Sequence, residues 1–276
     1  MKKSLIAFLF LVLAVEPAMW CKQKKSVEKV PVVVSQWNGR RVGFLGDSII
    51  DERQLSTNNT FPHLLEGLLG IKPHVYGISG REWNDIPRQT AAMEDELGQD
   101  VDAIVIFIGT NDFNHAVPLG EWYAEHSEMV TVSGPMDVIR RHRTLVMDEG
   151  TLRGRINIAM NTLRAKYPTK QIIVLTPIHR ALFDHSPQNH QPDELYTNAI
   201  GLYIDDYVRA IREVADVWAV PVIDLFSLSG LYPLEPNQGP YYRDAQRDRL
   251  HPNTLGHTRI AYTLAYQLAA LSAAFE

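Results

Sequence analysis

The stretch VGFLGDSII, residues 42–50, joins a short and almost wholly apolar run to a tight Gly46-Asp47-Ser48 turn. A run of that length, apolar at successive positions, predicts a strand buried on both faces, as in a parallel sheet. Four more runs share the pattern: HVYGIS (His74 to Ser79), AIVIFIG (Ala103 to Gly109), QIIVLTP (Gln171 to Pro177) and VPVIDL (Val220 to Leu225). Helical patterns lie between them. Phe61 to Leu69 is the first, with Thr60 placed to cap it and Pro62 tolerated in its opening turn. Pro87 to Leu97, Thr151 to Tyr167 and Leu195 to Val217 follow. A last helix carries Leu255, Ile260, Leu264, Leu268 and Leu271 near helical spacing. This alternation predicts an α/β fold, a three-layer α/β/α sandwich around a five-stranded parallel sheet in the flavodoxin-like order 2-1-3-4-5.

Three connections are long: Phe113 to Gly150, His179 to Pro192 and Ser227 to Arg247. Loops of that length usually have a function or contain small elements of their own. All three follow the C-terminal ends of predicted strands, the edge of an open α/β sheet where ligands bind.

The 276 residues, 45% of them apolar, suffice for one such domain with a full core. The formal charge of −5 and the scattered Lys and Arg give no sign of nucleic-acid binding. At the N-terminus, Lys2-Lys3 precede an apolar run from Leu5 to Val15, which reads as an export signal over residues 1–20. The run is short of the roughly 20 apolar residues that a spanning helix needs. Cys21 is the only cysteine, so no intrachain disulfide can form. It stands where a bacterial lipoprotein signal would carry its lipidated cysteine, and that resemblance is weighed equally against an ordinary cleaved signal. Residues 21–37 read as a tether, and the domain is expected over 38–276.

Three of the strand ends carry chemistry. Ser48 follows the first strand, where Gly46 permits a backbone path that a Cβ would hinder, and the next residues can open a helical turn. Gly80 follows the second strand and can bring a backbone N–H close to a ligand. Asn111, in Gly109-Thr110-Asn111-Asp112, follows the third and can aim a side-chain amide at an oxyanion. Each residue alone has a bland explanation: an N-capping serine, a turn glycine, a turn asparagine. In the order 2-1-3-4-5, however, the three strand ends surround one crevice. Asp248 and His251, three apart before the last helix, suit a loop or single turn that sets a carboxylate against the Nδ1 side of an imidazole and leaves Nε2 free.

Taken in order, the Gly-Asp-Ser turn, the second-strand glycine, the Gly-Thr-Asn-Asp segment and Asp248-Arg249-Leu250-His251 resemble the four conserved blocks of the GDSL, or SGNH, hydrolases. The likeness runs from about Arg41 to Leu271 and includes Thr60-Phe61-Pro62 and Leu255-Gly256-His257. It implies a serine esterase with Ser48 as nucleophile, His251 as general base and Asp248 orienting it. The Ser48 N–H, the Gly80 N–H and the Asn111 amide would form the oxyanion hole. The sequence departs from the family pattern at Ile49, in place of leucine, and at Tyr76-Gly77, where many members carry asparagine. Arg81-Glu82-Trp83 follows Gly80 in place of smaller residues, and Gly77 competes with Gly80 for the oxyanion role.

Trp83, Trp122 and Tyr123 are expected near the crevice rim, where they would either stack on sugar rings or pack the loops. A metal site among His179, His185, His190, Asp184 and Asp193 is conceivable, but no metal-binding motif supports it and none is expected. Nothing in the sequence calls for a cofactor. The long loops contain Glu121, Glu125, His126, Asp184, His185 and Asp193, which argues against a greasy lid. The expectation is an exported or cell-surface esterase acting on small acyl, chiefly acetyl, esters of carbohydrate, its partner a small-molecule or polysaccharide ester and any membrane contact through a lipid on Cys21. A lipase or general carboxylesterase is the alternative. A catalytically retired carbohydrate-binding protein is the alternative from another class.

Overall fold

The computed structural model describes residues 35–53, 59–134, 136–271 and 275. The expected export signal, Cys21 and the tether up to residue 34 lie outside the described residues. Along the chain run β1 (Arg41–Gly46), α1 (Phe61–Leu69), β2 (Lys72–Val75), α2 (Ile86–Leu97), β3 (Ala103–Phe107), α3 (Thr110–Asn114), β4 (Tyr123–Val132) and β5 (Met136–Leu145). Then come α4 (Leu152–Lys166), β6 (Gln171–Leu175), β7 (Phe183–Ser186), β8 (Asn189–Gln191), α5 (Ile204–Arg212), α6 (Val214–Trp218), β9 (Val222–Ile223) and α7 (Leu225–Leu228). β10 (Tyr242–Asp244), β11 (Asp248–Pro252) and α8 (Thr254–Ala270) complete the order.

The main sheet is parallel and five-stranded, in the order β2-β1-β3-β6-β9, which is the expected 2-1-3-4-5. Alternate residues of each strand serve opposite layers. Leu45, Ile104, Ile106, Ile172 and Val174 pack with α2, α4 and α5. Val42, Phe44, Val105, Phe107, Ile173 and Leu175 pack with α1 and α8 on the other face. Gly43 sits where an added Cβ would strike the Met93 side chain, so its absence lets α2 lie flat on β1.

Several expected boundaries move. The second strand starts at Lys72 and ends at Val75, although the Tyr76 and Ile78 N–H groups still reach the Phe44 and Gly46 carbonyls at 2.8 and 3.1 Å. Thr60 precedes α1, but its hydroxyl does not cap the helix and has no hydrogen-bond partner. The helix expected from Leu195 starts only at Ile204 and divides after Arg212. Asn198 explains the late start, because its Oδ1 accepts the Ile200 and Leu202 N–H groups and closes a loop over Gly201, which has φ +81. Leu255 lies exposed on α8, whereas Ile260, Leu264 and Leu268 are buried. The tether ends earlier than expected: Trp37 is fully buried, and its indole donates to the Leu268 carbonyl at 2.7 Å.

The long connections hold elements of their own. The first contains the antiparallel β4–β5 hairpin. The second contains β7 and β8, which join β10 and β11 in a separate four-stranded sheet ordered β10-β11-β7-β8. Asp248 and His251 therefore lie on a strand, not on the loop or turn expected for them.

His257, on the first turns of α8, is fully buried and its Nδ1 accepts the Phe61 N–H at 3.3 Å. Burial, helped by the charges of Arg243 and His251, pushes its pKa down to about 3. The folded protein thus keeps this imidazole neutral while the unfolded chain protonates it below its ordinary value, so its stabilising effect is complete above about pH 6.5 and is lost as pH falls toward 3. Between pH 6.5 and 5, urea denaturation should show the wild type losing about 2 kcal/mol relative to His257→Gln. Parallel pH profiles for the two proteins would contradict this.

Candidate active site

The turn after β1 is shaped by space. An added Cβ at Gly46 would collide with the Phe107 carbonyl and the Ile50 side chain, so glycine is required by close approach to β3; its φ is not in the left-handed region. Both peptide groups of Gly46 are held by one side chain: the N–H donates to Gln89 Oε1 at 2.8 Å, and Gln89 Nε2 donates to the carbonyl at 2.9 Å. Asp85 accepts the same Nε2 at 2.9 Å and is itself paired with Arg88 at 2.8 Å. Asp47 then closes a single turn, its Oδ1 accepting the Ile49 N–H and its carbonyl the Ile50 N–H, and no helix begins within residues 47–53. Ser48 is left facing the crevice.

The other strand ends are tied to this turn. Asp51 accepts the Ser79 N–H at 2.8 Å and so fixes the loop that carries Gly80. Gly80 has φ +75, and an added Cβ would meet nothing within 4 Å, because that side is the open crevice. Gly77 is instead packed against Ile50 and does not line the crevice, which removes it as the competitor. Asn111, in the first turn of α3, donates Nδ2 to the Arg81 carbonyl at 3.0 Å, which orients the amide and leaves its second N–H. Its neighbours are bound too: Thr110 takes a bond from Arg180, and Asp112 accepts the Trp83 N–H at 3.2 Å and pairs with Arg155 at 3.0 Å. Among the described residues the Ser48 and Gly80 N–H groups donate to nothing within the protein. Ser48, Gly80 and Asn111 thus line one crevice.

His251 and Asp248 enter that crevice from β11. His251 Nε2 lies 2.9 Å from Ser48 Oγ. Its Nδ1 is 3.0 Å from each Asp248 oxygen, and the His251 and Leu250 N–H groups also donate to Asp248 Oδ1. Burial works against the Asp248 charge, but the hydrogen bond and charge of His251, with Arg243, hold the carboxyl below its ordinary range. An ionised Asp248 selects the tautomer with hydrogen on Nδ1, so Nε2 is free to accept from the serine. Phe183 meets the imidazole edge-on at 5.0 Å between ring centres.

Beneath the site lies a buried charge, Arg180. It reaches Thr110 Oγ1 at 3.2 Å and Gln191 Oε1 at 2.5 Å, and burial pushes its guanidinium down to about 10, still charged at neutral pH. Burial likewise pushes Asp47 up to about 7, against the Ile49 N–H bond and the Arg180 charge.

The expected aromatic rim does not form from the residues named for it. Trp83 is fully buried among the helices, and Trp122 is buried with its indole on Glu213 at 2.6 Å. Tyr123 lies under Arg143, 4.5 Å from its ring centre, and does not line the crevice. The conceivable metal cluster is also dispersed: His179 bonds Glu194, His190 bonds Asp184, and His185 stacks on Phe183. The crevice walls that sequence reasoning missed are Phe183, His185, Asn189, Gln191 and Arg243. Their signal was the position of two long loops after strand ends; their pairing into a sheet had none.

Gln89 was missed as well. Gln89→Leu would leave the buried Gly46 N–H unpaired, at roughly 1–3 kcal/mol, and would leave the Gly46 carbonyl with the Ile78 N–H alone. Urea denaturation should show that loss, and steady-state ester hydrolysis should show kcat falling with little change in KM. An unchanged kcat would mean that Gln89 does not hold the Ser48 turn.

Residues 44–259 match the GDSL-like lipase/acylhydrolase family. No curated protein matches the sequence. Among solved structures, a protein from Lactobacillus plantarum is 25% identical, with a TM-score of 0.64 over 84% of this chain and 97% of its own. A "possible lipase" from Chitinophaga pinensis is 20% identical, with a TM-score of 0.59 over 84% and 99% of the two chains. An acetyl xylan esterase is 21% identical, with a TM-score of 0.51 over 83% and 99%. The blocks that meet in the crevice are those that the family match spans, and the chain belongs to the GDSL-like lipase/acylhydrolase, or SGNH, family of ester hydrolases.

Proposed function

We propose that this protein is an exported serine esterase that removes small acyl groups, acetyl foremost, from carbohydrate. The observation that carries the reading is the Ser48–His251 contact at 2.9 Å with Asp248 on the opposite ring nitrogen. In the first step His251 Nε2 takes the proton of Ser48 Oγ as the oxygen attacks the ester carbonyl carbon. The carbonyl oxygen becomes an oxyanion facing the Ser48 N–H, the Gly80 N–H and the second N–H of Asn111. Collapse of this intermediate breaks the ester C–O bond, and His251 returns the proton to the leaving alcohol. Water then attacks the acyl-serine, again giving its proton to His251, and the acid leaves as Ser48 is restored.

The crevice itself supports a small acyl group. It holds about 260 Å³, and among the described residues Phe183 and Leu250 are the only large apolar side chains on its walls. A long acyl chain would leave methylenes in water, at roughly 0.8 kcal/mol each. His185, Asn189, Gln191 and Arg243 offer donors and acceptors to a hydroxylated leaving group. The acetyl xylan esterase among the structural neighbours is in keeping with this substrate class, whereas the Chitinophaga neighbour's description keeps lipase activity as the second reading. A retired carbohydrate-binding protein fits less well, because it would have no use for the tautomer-fixing Asp248 contacts. Export rests on Lys2-Lys3 and the Leu5 to Val15 run, with Cys21 as the lipid attachment if the anchor is present. A mature chain beginning near Cys21, read by mass spectrometry, supports it, and an intact Met1 in cells contradicts it.

Activity on p-nitrophenyl esters should be highest at C2 and fall toward C12, acetate should be released from acetylated polysaccharide, and Ser48→Ala should lose on the order of 10⁶ in kcat while remaining folded. A rate that climbs to C8 or beyond with no acetate released makes the protein a lipase-like esterase. Near-wild-type turnover by Ser48→Ala removes the mechanism.

A further inference from the structure

The β4–β5 hairpin lies outside the machinery described so far, and nearly all of its side chains are exposed. His126 and His142 are direct cross-strand partners in its ladder. Glu128, two residues along β4, shares their face because side chains alternate along a strand. His126 Nε2 lies 3.2 Å from Glu128 Oε2, and His142 Nδ1 lies 3.2 Å from Glu128 Oε1. The two rings meet edge to face, 5.1 Å between centres. One donor atom from each of the three residues lies within 4.8 Å of the others.

We propose that His126, Glu128 and His142 form a divalent transition-metal site, filled by Zn²⁺ through two imidazole nitrogens and one carboxylate oxygen. Metal–ligand bonds of about 2.0–2.2 Å at tetrahedral angles put neighbouring donors roughly 3.3 Å apart. Each imidazole nitrogen lies 3.2 Å from one Glu128 oxygen, His126 from Oε2 and His142 from Oε1, and one donor atom from each residue falls within 4.8 Å of the others, near enough for one ion to gather them. Elsewhere the protein pairs single histidines with single carboxylates, as in His74 with Glu96 and His115 with Glu82. The hairpin differs in turning two imidazoles onto the two oxygens of one carboxylate, and it is the one three-ligand group among the described residues. A nitrogen-rich donor set selects Zn²⁺, Ni²⁺ or Cu²⁺ over Mg²⁺ and Ca²⁺. Arg140, the cross-strand partner of Glu128, places one opposing charge beside the site. The fourth coordination position faces solvent and takes water. A metal bound here ties β4 to β5 in a two-stranded ribbon, an arrangement of marginal stability without further support.

The test is calorimetric titration of the full chain with ZnCl₂, wild type against His126→Gln/His142→Gln. The wild type should take up one more equivalent than the double variant, and the single variant His142→Gln should bind at that site at least about tenfold more weakly. Zn²⁺ should slow hydrogen exchange across residues 123–145 in the wild type and not in the double variant. MgCl₂ should do neither. Metal-free p-nitrophenyl acetate turnover should be equal in all three proteins and so reports that the variants are folded. Equal zinc titrations of wild type and double variant, or zinc-induced protection confined to other segments, would overturn the site.

Discussion

The two hydrogen bonds between the Gln89 amide and the peptide groups of Gly46 fix the turn on which the site is built. They join the end of β1 to α2 at a point where close packing against β3 leaves no room for a side chain. With the backbone held on both sides, Ser48 has one direction to face. The same economy recurs at the neighbouring strand ends. Asp51 anchors the Gly80 loop through the Ser79 N–H, and Asn111 anchors it again through the Arg81 carbonyl. Three separate strand ends become one rigid ring of donors because each is tied to the next by a short polar link.

The base comes from a different part of the architecture. β11 belongs to the smaller sheet, and its pairing with β7 and β10 gives Asp248 and His251 a strand's rigidity. Asn253, directly after the strand, accepts the Leu255 and Gly256 N–H groups and donates to the Pro240 and Tyr242 carbonyls. It thereby caps α8 and clamps the chain leading to His251. Catalytic geometry across the Ser48–His251 contact therefore depends on how two sheets pack. Arg180 helps to set that packing, since it reaches both Thr110 beside β3 and Gln191 on β8.

Much of this was legible in the sequence, for physical reasons. Strands buried on both faces leave near-continuous apolar runs, so the five parallel strands and their order could be read. The chemistry-bearing residues sit at the ends of those runs and inherit their positions. What could not be read was made by long-range pairing. Asp248 and His251 looked like loop residues because β10, the neighbouring partner of β11, is only three residues long, and its other partner, β7, lies some sixty residues away in a segment with no clear alternation. Trp83 and Trp122 looked like rim residues because exposure was judged from position in a loop, whereas both belong to the helical layer. The β4–β5 ribbon mixes polar and apolar residues on both faces, so its alternation carried no signal, and the cross-strand register that pairs His126 with His142 is visible only in the folded chain.

The account stands on Ser48 being the activated nucleophile. Its most direct test is reaction of the purified protein with a fluorophosphonate at neutral pH, followed by peptide mapping of the adduct. The account predicts one equivalent of label, on Ser48 alone, with labelling slowed strongly in Asp248→Asn because the orienting charge on His251 is gone. Label on any other residue, or no label on an intact and folded protein, would contradict it.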